Sequence, residues 1–164
     1  MRSQTDENFL RVALAEGRLS RERGEDPFGA VIVQAGQIIA QSGSCELELG
    51  DPLAHAEVLA IRSACHILDT LSLCGCTLYA STEPCLMCSG ALKWAGIDRV
   101  VFSVPQSALQ TFSGGLTKPG CAELVNTGNR KIEVLGELLL EEGLTVLTGY
   151  PFLSKAQRYA ARRR

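Results

Sequence analysis

Long apolar runs are missing from this chain of 164 residues. No uninterrupted stretch approaches the roughly twenty residues that a membrane-spanning helix needs, so no membrane partner is expected. Met1-Arg2-Ser3-Gln4 leads into a polar segment without an apolar h-region, which argues against a secretory signal and makes the cytoplasm the default location. A strong net charge is missing too. The 16 Lys and Arg residues nearly balance 18 Asp and Glu, leaving −2, and such a balance is no footprint of a nucleic-acid protein. Neither internal repeats nor a linker interrupt the chain, so one domain spanning 1–164 is expected, with its core in 5–150. An even cysteine count is also lacking. Seven are present, at 45, 65, 74, 76, 85, 88 and 121, and an odd number without a signal argues for free thiols or metal ligation over a disulfide framework.

What is present suits a compact soluble fold. Apolar residues make up 46% and charged residues 21%, which sets aside disordered and collagen-like readings. The charge is unevenly placed. The last ten residues hold Lys155, Arg158, Arg162, Arg163 and Arg164 and no acid, so the remaining eleven bases face eighteen acids and the body is acidic by seven. A basic tail can contact phosphate, but the expected state of 154–164 is a solvated, partly frayed terminus.

Periodicity gives the elements. Residues 5 to 22 read as an amphipathic helix, with Phe9, Val12, Ala13 and Leu19 near helical spacing. Phe28 to Val33 and Gln37 to Gln41 read as a hairpin around Ala35-Gly36. A helix is expected over Ala54 to Leu68, a strand over Thr77 to Ala80, a helix over Cys85 to Ala95 and a strand over Arg99 to Ser103. Residues 105 to 130 read as loop with a short helix around Cys121 to Val125. A last strand in Lys131 to Leu135 and a helix in Glu137 to Leu147 follow, the latter weakened by Gly143. A hairpin followed by helical crossovers implies an α/β fold, a three-layer α/β/α sandwich around a five-stranded mixed sheet.

Two short stretches carry the chemistry. His55-Ala56-Glu57 opens one expected helix, and Pro84-Cys85-Leu86-Met87-Cys88 opens the next. Together they match H-x-E … P-C-x-x-C, a known signature of zinc deaminases. The physics agrees with the pattern. Cysteines at i and i+3 share one helical face and can reach one ion. A helix amino terminus favours the thiolate that zinc binds. His55 would supply a third ligand, and a fourth position left open for water marks a catalytic rather than a structural site, that water being acidified to a pKa of about 7. Glu57, two residues beyond His55, is the expected proton shuttle from water to a ring nitrogen and then to the departing amine.

Other readings of these residues fit less well. A lone Cys-x-x-C can be a redox pair, but the upstream His-x-Glu argues against it. A closed structural zinc site would need a fourth ligand from Cys74 or Cys76, which precede a strand and not the helix. A zinc-binding interaction module is the non-enzymatic reading, and it has no use for Glu57. His66, the second of two histidines, falls far down the same helix and is expected at the surface or in the core.

From Asp26 to about Phe102 the sequence resembles the cytidine deaminase superfamily, in the branch containing bacterial guanine deaminases, tRNA adenosine deaminases and fungal cytosine deaminase. The matching stretches are Pro27-Phe28-Gly29-Ala30-Val31-Ile32-Val33, Asp51-Pro52-Leu53-Ala54-His55-Ala56-Glu57-Val58 and Ser81-Thr82-Glu83-Pro84-Cys85-Leu86-Met87-Cys88-Ser89-Gly90-Ala91. The resemblance implies the sandwich fold, zinc held by His55, Cys85 and Cys88, and a homodimer with composite active sites. It further implies a base pocket lined by Phe28, Gly29 and Ala30, with Trp94 placed as in guanine deaminases to stack on a purine or, equally, to fill core beside the sheet. Ser44 stands where relatives place an Asn that bonds the base, and no acid follows Phe112, where guanine deaminases have one; both departures imply a reshaped pocket. The expected substrate is a small nucleobase or nucleoside, guanine-like purines ahead of cytosine-type rings. A tRNA substrate fits less well, because an acidic body attracts phosphate poorly.

Overall fold

A computed structural model describes residues 4–114 and 119–162. The strands are β1 (Gly29–Gln34), β2 (Gln37–Gly43), β3 (Cys76–Thr82), β4 (Arg99–Val104) and β5 (Glu133–Leu135). The helices are α1 (Gln4–Glu22), α2 (Glu46–Leu49), α3 (Ala56–Ile67), α4 (Leu86–Ala95), α5 (Gln106–Ser113), α6 (Cys121–Val125), α7 (Leu140–Leu147) and α8 (Lys155–Arg162). One sheet runs in the order β2-β1-β3-β4-β5. β1 pairs antiparallel with β2 and β3, while β3–β4 and β4–β5 are parallel. Parallel neighbours need crossovers, and α4 supplies one between β3 and β4. The hairpin turn at Ala35 and Gly36 has both residues at positive φ, 48° and 77°, the pattern whose twist matches the flanking strands.

The middle layer is buried on both faces. Ala30 and Ile32 of β1 pack with Ala56, Ala60 and Ala64 of α3 and Leu92 of α4. Val31 and Val33 point the other way, onto Leu10 and Ala13 of α1 and onto Leu138. This two-residue alternation between two covered faces explains why the strand reads as an unbroken apolar run. The three-layer mixed-sheet sandwich is therefore the observed architecture.

The ends depart from expectation. The helix expected from Glu137 starts at Leu140, because Glu137 and Leu139 take positive φ in a turn. Gly143 does not weaken it. A Cβ there would fall 2.3 Å from Ser103 Oγ, so the missing side chain lets α7 approach β4. The carboxy-terminal stretch is no frayed tail as far as Arg162: it folds as α8, with Arg158 only 6% exposed, while Arg163 and Arg164 lie outside the described residues. No described helix is long and apolar enough to cross a membrane.

Candidate active site

The carboxyl end of β3 and the starts of α3 and α4 meet at one point. His55 is the N-cap residue of α3 and Cys85 that of α4, both with extended backbone. Neither side chain caps its own helix; each turns toward the other instead. His55 Nδ1 lies 3.7 Å from Cys85 Sγ and 3.6 Å from Cys88 Sγ. Tetrahedral zinc, with Zn–S about 2.3 Å and Zn–N about 2.0–2.1 Å, separates N and S ligands by about 3.6 Å. The spacing therefore fits zinc, and His55, Cys85 and Cys88 are the residues that could hold it. Among the described residues, they are the one group of this kind with ligand atoms within 4.8 Å of one another. Cys74 is exposed and Cys76 sits buried in β3, outside the group, so neither closes it as a fourth ligand.

The electrostatics suit a cation. A hydrogen bond from Cys88, opposed by burial and aided by His55, brings the Cys85 thiol down to about 4. A hydrogen bond to Cys85 and the nearby Glu46 carboxylate raise His55 to about 10 against burial. Cys88 is pushed up, by its hydrogen bond to Cys85 and by burial. Glu57, in the first turn of α3, is 6% exposed. Its Oε2 accepts from Cys88 Sγ at 3.5 Å, so it stands beside the three ligand atoms without belonging to them. Burial above all, and then the Cys85 charge, raise its carboxyl above the ordinary range.

A cavity of about 700 Å³ opens over this cluster. Phe28, His55, Glu57, Glu83, Cys85 and Gln106 line it together with Phe152, Leu153, Lys155 and Arg158 of the carboxy-terminal segment. Phe152 packs on Phe28 and Phe112, at 6.1 and 6.4 Å between ring centroids. Glu83 orders the rim: its Oε2 accepts from Gln106 N at 2.9 Å and its Oε1 from Cys121 N at 2.8 Å.

Of the pocket residues expected from sequence, Phe28 alone is in the lining. Gly29 and Ala30 are buried in the fold: Gly29 packs on α1, and Ala30 points into the core beneath α3 and α4. Ser44 is 1% exposed, with its backbone N–H bonded to Phe28 O at 3.1 Å, behind the wall and not on it. Trp94, 94% exposed, does not fill core as one of its two expected roles had it, and it lies outside the lining of this chain's cavity. At 1.5 Å rise per residue it stands about 13 Å down the α4 axis from Cys85. His66 is exposed, as one of its two expected places allowed. Sequence reasoning missed Asp26, Glu46, Glu83, Phe152 and Arg158 in the cavity. Glu83 was within reach, since it sits two residues before Cys85; the others are brought in by long-range contacts that leave no local mark.

The sequence matches the family described as the cytidine and deoxycytidylate deaminase zinc-binding region over residues 3–104. It is 49% identical over 110 residues to the tRNA-specific adenosine deaminase of Aquifex aeolicus, covering 67% of this chain and 70% of that protein. It is 32% identical over 153 residues to a probable cytosine deaminase of Schizosaccharomyces pombe, covering 90% and 93%. The solved structure of guanine deaminase from Bacillus subtilis superposes with a TM-score of 0.63 at 42% identity, covering 64% of this chain and 68% of that one. With that match running through both motifs, the chain belongs to the cytidine and deoxycytidylate deaminase family and is a zinc-type hydrolytic deaminase.

Proposed function

We propose that this deaminase acts on a small free amino-substituted ring, guanine-like purines ahead of pyrimidines, and works as a cytoplasmic homodimer. The observation that carries the substrate class is the position of the chain's own carboxy-terminal segment. Residues 152–155 and Arg158 line the same cavity as His55 and Glu57, and its volume of about 700 Å³ with apolar rings at Phe28 and Phe152 is that of a small-molecule site. Such concave, partly apolar sites with a few convergent polar groups suit small molecules. A probable cytosine deaminase is among the relatives that align through nearly the whole chain, over 153 residues.

His55, Cys85 and Cys88 hold zinc in this reading, and zinc when bound supplies an acidified water at neutral pH. The residues of the chain do the rest. Glu57 takes a proton from the attacking water and delivers it to a ring nitrogen. It then takes the second proton, from the hydroxyl now on the attacked carbon, and gives it to the amino group, which leaves as ammonia while that oxygen stays as a carbonyl. Phe28 and Phe152 hold the ring flat, and residues 152–155 keep bulk water out.

Dimerisation is supported by apolar side chains on the outside of α4, where Leu86 is 63% and Trp94 94% exposed. The free thiols suit a reducing compartment. A second reading, deamination of adenosine in tRNA, is favoured by the 49% identity to the Aquifex aeolicus enzyme.

The deciding experiment is ammonia release from guanine, guanosine, adenine, cytosine, cytidine, isocytosine, aminated pterins, triazines and a tRNA anticodon stem. Turnover of a small ring is expected. Turnover of the RNA stem alone, with binding that weakens steeply as salt rises, would replace this reading with the second.

A further inference from the structure

The cluster and Glu57 leave two buried charges in the same cavity without a role. Arg158 of α8 is 6% exposed and Glu46 of α2 is 8% exposed. Burying such groups is costly unless they are paired, and these are paired in a chain. Arg158 Nη1 donates to Asp26 Oδ2 at 2.6 Å and to Glu46 Oε2 at 3.1 Å, and Nη2 donates to Glu25 Oε2 at 3.2 Å. Glu25 in turn accepts from the backbone N–H groups of Leu47 and Glu48 at 3.1 and 2.7 Å, which pins α2 in place. Arg158 therefore fixes both the position of Glu46 and the direction in which its carboxylate points.

That direction is toward His55. The imidazole presents Nδ1 to the two sulfurs, so Nε2 faces away from them, and Glu46 Oε1 lies 3.6 Å from it. Lys155 Nζ is 2.9 Å from the same oxygen. The Nε2 separation is just beyond hydrogen-bond reach, and Oε1 is buried without a hydrogen-bond partner among the described residues. An imidazole that gives its Nδ1 lone pair to a metal must carry its proton on Nε2, and a carboxylate there selects that tautomer and fixes the ring. The acceptor that Nε2–H requires is thus present and oriented, with the Lys155 ammonium as its other neighbour.

We propose that Glu46 is a positioning residue that holds His55 with Nδ1 toward zinc, and that Arg158 acts through Glu46, so that the docking of α8 sets how tightly the site binds metal. The proposal rests on reading His55 as a zinc ligand and not on which substrate is used. It makes the carboxy-terminal helix part of the metal site's support, although no residue of α8 belongs to the ligand group.

The test uses the full chain and three readouts: zinc affinity by chelator competition, kcat and KM separately, and the proton–nitrogen NMR signal of the imidazole. The chain has two histidines and His66 is exposed, so a protected Nε2–H signal in the zinc-loaded protein belongs to His55. Glu46→Gln should weaken zinc binding by about tenfold or more, lower kcat with little change in KM, and speed the exchange of that proton. Arg158→Met should shift affinity in the same direction, and Glu46→Gln with Arg158→Met together should be little worse than Glu46→Gln alone, because both act through one contact. Arg158→Lys, a milder change, should fall between parent and Arg158→Met.

Zinc affinity within twofold of the parent in Glu46→Gln, with the Nε2–H signal unchanged, overturns the proposal. Losses from the two single variants that add in full overturn the part assigned to Arg158. Weakened zinc binding in Glu46→Gln upholds the positioning role even if the parent releases ammonia from no compound in the panel, an outcome that would count against the proposed substrate class alone.

Discussion

Gly29 lies so close to Ala13 that a Cβ at position 29 would fall 2.1 Å from the Ala13 carbonyl oxygen and 2.5 Å from Gly17 N. The small residue ahead of the apolar strand is therefore there for helix α1, which could not otherwise lie against β1. Gly29→Ala is expected to force the two apart and to cost about 2 kcal/mol, within the usual range for overpacking. Urea denaturation checks it, and a variant as stable as the parent would mean that α1 yields freely.

Glu57→Gln keeps the size of the side chain and removes its capacity to accept and return a proton. Zinc content and melting temperature should stay near the parent's, while turnover falls by at least a factor of about 100, the low end for general acid–base catalysis. Metal analysis beside an ammonia assay separates the two effects. Retained turnover would assign the proton transfer to another group.

Zinc removal should destabilise the fold, because a ligand bound only by the native state stabilises it by mass action. At a thousandfold excess over the dissociation constant this is about 4 kcal/mol, or roughly 10 °C in melting temperature for a domain of this size. Calorimetry with zinc and with chelator measures the difference. Cys88→Ala, which removes one of the three groups that could hold the ion, itself at 0% exposure, should abolish it.

Asp98 gives a pH signature away from the site. Its Oδ2 accepts from Gly75 N at 2.6 Å, its Oδ1 pairs with Arg130, and these contacts hold its carboxyl below the ordinary 3.8. A depressed carboxyl contributes stability above its unfolded pKa, and the contribution is lost as pH falls through the folded value. Asp98→Asn should therefore destabilise the chain more at pH 6 than at pH 2.5. Equal losses at both would show that the hydrogen-bond geometry matters and the charge does not.

How far the sequence could be read followed the range of the interactions. Both metal motifs were legible because spacing within a single turn decides which way their side chains face. The hairpin at Ala35-Gly36 and the short helix at Cys121 were legible for the same reason. By contrast, α2 is a helix of four residues whose first turn is capped by Glu25 from more than twenty positions away, and nothing in Glu46-Leu47-Glu48-Leu49 announces it. Arg158 looked like one more solvated tail charge; three acids from other elements bury it. Trp94 was assigned by resemblance to guanine deaminases, which does not tell how far the helix carries its side chain from Cys85. Gly29 and Ala30 were read as leaving room for a ring, when the elements they touch are α1 and the layer of α3 and α4.

The late position of α8 has a consequence for biosynthesis. The bond from Arg158 to Asp26 spans 132 positions, so during translation every metal ligand leaves the ribosome long before the far wall of the cleft. A nascent chain can gather His55, Cys85 and Cys88 and load its ion while the bay above them still lies open to solvent. Only the emergence of α8 closes it, so a chain cut before Lys155 would carry the ligand set without a finished pocket.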